Sequence, residues 1–124
     1  MNDEKRTVTV LGSTGSIGVN TLDVIARHPN MFEVHALAAN TSVDAMLAQC
    51  LAFQPRFAVM MDEVAATELQ QRLPKEAVTQ VKHGEAGLSD VVIAPEVDVV
   101  MAAIVGAAGL SSTLAAARAG KTLL

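Results

Sequence analysis

The chain has 124 residues, enough for one domain with its own core. A net charge of −4 without a Lys/Arg cluster excludes a nucleic-acid footprint. Its single cysteine, Cys50, excludes an internal disulfide and fits a reducing cytoplasm. With no Trp, no Tyr and only three Phe, the chain suits the close layers of a parallel α/β sheet better than an aromatic binding surface.

The polar start, Met1 to Arg6, is not followed by the apolar stretch of a secretion signal. Thr7-Val-Thr-Val-Leu11 reads as a strand, and Gly12-Ser-Thr-Gly-Ser-Ile-Gly18 follows it and opens into a helix from Ser16 to about His28. Strand, glycine-rich turn and helix form the layout that holds a dinucleotide's diphosphate. Gly12 can take turn angles closed to other residues. Gly15 lets the main chain approach a phosphate, and Gly18 lets the helix pack on the sheet. The helix then aims unpaired N–H groups and its positive end at the anion. The spacing is GxxGxxG rather than the GxGxxG of the commonest NAD dehydrogenases. The plainer alternative is a glycine-rich turn that touches no ligand.

Pro29 stops the first helix, and Phe32 to Ala38 reads as a second strand. Thr41-Ser-Val-Asp44 matches a capping box, so a second helix is expected from about Ser42 to Phe53. Cys50 falls on its apolar pattern as a packing thiol. Arg56 to Met60 is a third strand, and Asp62 is placed to cap a third helix over Glu63 to Leu73. Thr79 to His83 is a weaker fourth strand, followed by a short helix over Glu85 to Ile93. Val97 to Ala103 is a strongly apolar fifth strand, Leu110 to Ala119 an Ala-rich helix ended by Gly120, and Lys121 to Leu124 starts a sixth strand. The longest apolar run, Val97 to Leu110, is broken by Asp98, Gly106 and Gly109, too interrupted to span a membrane.

This alternation predicts a doubly wound parallel sheet, Rossmann-like, of about six strands with helices on both faces. Ligand belongs at the strand carboxyl ends, where the strand order reverses. An acidic residue after the second strand would hold the ribose 2′-hydroxyl of NAD. Here that stretch reads Ala38-Ala-Asn-Thr-Ser42, with no carboxylate to repel a 2′-phosphate. Asn40, Thr41 and Ser42 are small donors at a helix start, which favours NADP over NAD; alternatively, Thr41 and Ser42 only cap their own helix. No catalytic or metal-ligating constellation emerges. Asp62 and His83 are the only obvious titratable groups at the ligand edge, and His28 and His35 read as surface or partly buried.

Leu11-Gly-Ser-Thr-Gly-Ser-Ile-Gly18 with Thr21-Leu-Asp-Val-Ile25 resembles the 1-deoxy-D-xylulose 5-phosphate reductoisomerase family. So do Val99-Val-Met-Ala-Ala-Ile-Val-Gly-Ala-Ala-Gly-Leu110, Ala119-Gly-Lys-Thr122 and Cys50-Leu-Ala-Phe-Gln-Pro-Arg56, and the likeness covers nearly the whole chain. It implies an N-terminal NADPH-binding domain over residues 1–124, cut within its last strand. The parent enzyme would rearrange and reduce a sugar phosphate, giving 2-C-methyl-D-erythritol 4-phosphate in non-mevalonate isoprenoid synthesis. Mg or Mn would be held by ligands beyond Leu124, and this chain alone is expected to be inactive. The resemblance further implies a homodimeric parent in the cytoplasm, with neither nucleic acid nor membrane as partner. Thr14, Gly15 and Ser16 would serve the cofactor phosphates, and Ile17, Ala103 and Ile104 the nicotinamide end. The basic residue that many members carry after the second strand is absent from Asn40 to Ser42. Two alternatives remain at this stage. One is a semialdehyde-dehydrogenase-type domain, which needs a nucleophilic cysteine; the other is a non-catalytic nucleotide-binding module.

Overall fold

The structure is a computed structural model describing residues 5–102 and 119–124. Six strands are present: β1 (Arg6–Leu11), β2 (Phe32–Ala39), β3 (Phe57–Met60), β4 (Gln80–His83), β5 (Val99–Ala102) and β6 (Thr122–Leu123). Four helices join the first five: α1 (Ser16–Arg27), α2 (Val43–Phe53), α3 (Glu63–Arg72) and α4 (Gly84–Ile93). All strand pairs are parallel, in the order β4-β3-β2-β1-β5-β6. The chain therefore steps outward from β1 to β4, then returns to the far side of β1. The order reverses between β1 and β5, as a doubly wound sheet requires. The helix expected over Leu110 to Ala119 falls mainly on residues outside the described ones.

Each helix ends two residues before one of the four prolines: Arg27 before Pro29, Phe53 before Pro55, Arg72 before Pro74, Ile93 before Pro95. A proline excludes the preceding residue from helical angles and brings no N–H of its own, so these four positions set the helix ends. β5 starts at Val99 rather than Val97, because Val97 closes a turn onto Ala94.

Strand side chains alternate between two cores. Val8, Val10, Leu37, Ala58 and Met60 face α1, α2 and α3, meeting Leu22, Ile25, Met46, Cys50 and Leu69. Leu11, Ala36, Ala38, Val59 and Val100 face α4, meeting Leu88, Val91 and Val92. Both faces of the inner strands are dry, which explains their weak sequence alternation.

His35 departs from its expected surface or partly buried position: it is only 3% exposed. The register of β1 against β2 pairs Val8 with Val34 and Thr9 with Ala36, leaving His35 without a partner on β1. A bulge of this kind re-aims a side chain. The ring packs tilted against Phe57 at 5.4 Å, and its Nε2 has no hydrogen-bond partner among the described residues. Burial, opposed in part by Glu96 and Glu33 and assisted by Arg56 and Lys121, pulls its pKa below the ordinary value.

Candidate cofactor-binding site

β1 delivers the chain to the carboxyl edge of the sheet beside the strand-order reversal. There Gly12 takes φ 75°, the left-handed turn that a side chain would disfavour. The Gly12 and Ser13 amides both donate to the Ala38 carbonyl, at 2.8 and 2.9 Å, tying the turn to β2. The turn then enters α1 with Gly15 as its N-cap residue and no side-chain cap. Among the described residues, the amides of Thr14, Ser16, Ile17 and Gly18 find no acceptor. Gly15, Ser16 and Ile17 are exposed and Thr14 is half-buried. The result is a free helix start carrying roughly half a positive charge, open to solvent.

The two later glycines of the turn serve different neighbours. A Cβ at Gly18 would lie 2.1 Å from the Gly12 carbonyl oxygen and 2.6 Å from the Ser13 Cα, so helix and turn touch through backbone alone. Among the described residues, a Cβ at Gly15 would meet only that same oxygen, at 3.6 Å, in an ordinary extended conformation. The fold itself leaves room for a side chain at Gly15. This agrees with a glycine kept bare for something outside the chain.

Asn40, Thr41 and Ser42 lie next to this mouth, exposed at the end of β2. The expected capping box does not form. Ser42 takes φ −77° and ψ 77° with Val43 N donating to Thr41 O at 2.8 Å, an inverse γ-turn. That turn delays the helix by one residue and leaves Ser42 making no side-chain cap, while Arg72 of α3 takes the Asp44 carboxylate. Both hydroxyls are therefore free of the capping role. Ala103 and Ile104 lie outside the described residues.

The other titratable groups of this edge have structural partners. Asp62 caps α3, accepting from Ala65 N at 2.9 Å, and His83 sits 3.6 Å from Glu63. Cys50 is buried, and burial pushes its thiol up to about 11, so it is no nucleophile. Cys50 therefore does not supply the nucleophile that a semialdehyde-dehydrogenase-type reading needs. A polar hollow of about 540 Å³ lies at the opposite edge, but its Lys121 is already bonded to the Ala94 carbonyl.

The model of the 1-deoxy-D-xylulose 5-phosphate reductoisomerase family matches residues 8–124. The chain belongs to that family. It is 57% identical to the reductoisomerase of Aromatoleum aromaticum over 118 residues, covering 94% of this chain and 29% of the relative. Against the Pseudomonas fluorescens enzyme the identity is 58%, covering 94% of this chain and 30% of the relative. Among solved structures, a reductoisomerase in complex with NADPH, fosmidomycin and magnesium superposes with TM-score 0.90 at 42% identity, covering 95% of this chain and 29% of that one. The Zymomonas mobilis reductoisomerase in complex with NADPH gives TM-score 0.90 at 39% identity, covering 97% and 31%. The chain thus spans about 30% of the length of these reductoisomerases.

Two features of the site escape the sequence reading. Ser13 is fully buried beneath the turn, and Gln49 of α2 reaches its carbonyl at 2.9 Å. The one available signal is that Gln49 falls three residues after buried Met46, at the margin of the apolar stripe of α2.

Proposed function

We propose that this chain is the NADPH-binding domain of a 1-deoxy-D-xylulose 5-phosphate reductoisomerase, residues 1–124 forming its N-terminal part. The observation that carries the reading is the uncapped start of α1, opening beside the strand-order reversal, where a Cβ added at Gly15 would have no described atom of the fold closer than 3.6 Å. The backbone of Thr14, Gly15 and Ser16, with the Thr14 and Ser16 hydroxyls, holds the diphosphate, and Ile17 offers an apolar surface, 61% exposed, toward the nicotinamide. Ala103 and Ile104 complete the nicotinamide side. Asn40, Thr41 and Ser42 receive the 2′-phosphate through neutral donors in place of a lysine or arginine. Charge-assisted contacts are about twice as strong as neutral ones, so the preference for NADPH over NADH is moderate.

When bound, NADPH supplies the hydride that reduces the rearranged sugar phosphate. The longer protein takes 1-deoxy-D-xylulose 5-phosphate to 2-C-methyl-D-erythritol 4-phosphate with Mg or Mn held outside this chain. It works as a homodimer in the cytoplasm. None of the described helices is long and apolar enough to cross a membrane.

Titration of the purified chain with NADPH and NADH tests the cofactor reading. Saturable binding of NADPH, tighter than NADH, is expected. A cooperatively folded chain that binds neither refutes it.

A further inference from the structure

We infer that Gln49 is a positioning residue of the diphosphate turn: by gripping the Ser13 carbonyl it aims the Thr14 N–H outward, toward the phosphate. The inference rests on the cofactor reading above. A trans peptide is planar, with its C=O and N–H pointing in opposite directions, and no described peptide bond is cis. Gln49 Nε2 donates to Ser13 O at 2.9 Å from α2. The Thr14 N–H, in the same peptide plane, must then point away from α2, and it has no acceptor among the described residues.

Among the described residues, Gln49 is the side-chain anchor of this peptide. The Gly12 and Ser13 amides are fixed to Ala38, but those bonds hold the two preceding peptide planes. Ser13 Oγ, though fully buried, bonds nothing among the described residues and does not hold the turn. Gln49 Oε1 is likewise buried without a partner among the described residues. The side-chain amide is therefore oriented for the Ser13 carbonyl at the expense of its own oxygen. Exchanging the amide's nitrogen and oxygen would set two oxygens against each other. Without this donor the Ser13–Thr14 peptide can turn over, presenting a carbonyl oxygen where the amide stood. An oxygen there repels a diphosphate.

Two variants of the chain test this: Gln49→Met, which keeps the length and removes the donor, and Gln49→Glu, which sets a carboxylate against the carbonyl. Each is titrated with NADPH and with 2′-AMP, which carries the adenosine and the 2′-phosphate but no diphosphate. The Kd for NADPH is expected to rise about tenfold or more, the worth of one hydrogen bond to a charged group. The Kd for 2′-AMP, followed by amide chemical shifts, is expected to stay within about twofold. Equal weakening of both ligands makes Gln49 a merely structural residue and overturns the inference, as does unchanged NADPH binding. Where Gln49→Met is too unstable to titrate, Gln49→Glu decides alone by the same split. A wild-type chain that binds 2′-AMP but not NADPH overturns the cofactor reading itself, a failure separate from that of Gln49.

Discussion

Gly15 and Gly18 stand three residues apart in one turn, yet alanine at each should fail in a different assay. At Gly18 the added Cβ would sit 2.1, 2.6 and 2.8 Å from three backbone atoms of Gly12 and Ser13. Contact with a carbonyl oxygen needs more than 3 Å, and no side chain can rotate to give way. The start of α1 and the turn must separate by about 1 Å, at about 3 kcal/mol, the upper end of the usual cost of overpacking. For a chain of this length roughly 4 °C accompanies each kcal/mol, so Gly18→Ala should melt about 12 °C lower. At Gly15 the nearest atom is 3.6 Å from the Cβ, and φ is −79°. There the loss of a favourable N-cap residue and the lower entropy of the unfolded chain oppose each other within about 1 kcal/mol. Gly15→Ala should therefore melt like wild type while binding NADPH at least about fivefold more weakly, a methyl group standing where a phosphate must approach (about 1–3 kcal/mol). Thermal unfolding by circular dichroism, paired with NADPH titration, reads both effects. If Gly18→Ala melts within about 2 °C of wild type, or if Gly15→Ala binds NADPH normally, the division of labour between the two glycines is wrong.

Burial lowers the pKa of His35 in the fold, so the unfolded chain takes up its proton first as pH falls. Its contribution to stability is complete above about pH 6.5 and declines below it, by up to about 1.4 kcal/mol per pH unit. Urea midpoints of His35→Leu should show a shallower loss than wild type between about pH 6.5 and pH 5; parallel curves would count against the buried imidazole. Asp62→Ala removes the carboxylate that accepts from Ala65 N, and should lower stability by about 1 kcal/mol without changing NADPH affinity. A thiol-disulfide reagent at neutral pH should leave Cys50 untouched in the native chain, because burial pushes its pKa up to about 11, and should titrate it fully in denaturant. Rapid native labelling would contradict the packing of α2.

The parts of the fold readable from sequence are those fixed within a few neighbouring residues. Strand, glycine turn and helix follow one another over residues 6–27, and each proline ends its helix through its own ring. The missed features depend on partners brought from far along the chain. The bulge that buries His35 exists only in the register of β2 against β1, whose facing residues lie about 26 positions away. The capping box at Thr41 has suitable residue types, but Asp44 is claimed by Arg72, 28 residues later. Gln49 reaches a carbonyl 36 residues before it. Its own surroundings in the sequence say only that a polar residue borders an apolar stripe.

The starts of α1, α2, α3 and α4 all follow strand carboxyl ends along one edge of the parallel sheet, and they are treated differently. α3 is closed by the Asp62 carboxylate, whereas α1, α2 and α4 begin without a side-chain cap. An N-cap contributes about 1 kcal/mol against a total stability of about 5–15 kcal/mol, so the open starts of α1 and α2 are a measurable sacrifice. For α2 the cause is geometry rather than composition, since Ser42 is a good capping residue held off by an inverse γ-turn. The open starts of α1 and α2 adjoin the junction where Gly12 and Ser13 bond Ala38, whereas the closed start of α3 and the open start of α4 lie further out, beyond β2. On the proposed cofactor reading, a dinucleotide carrying both a diphosphate and a 2′-phosphate has an anion for each of α1 and α2, the open helices at the junction, and none for the helices further out.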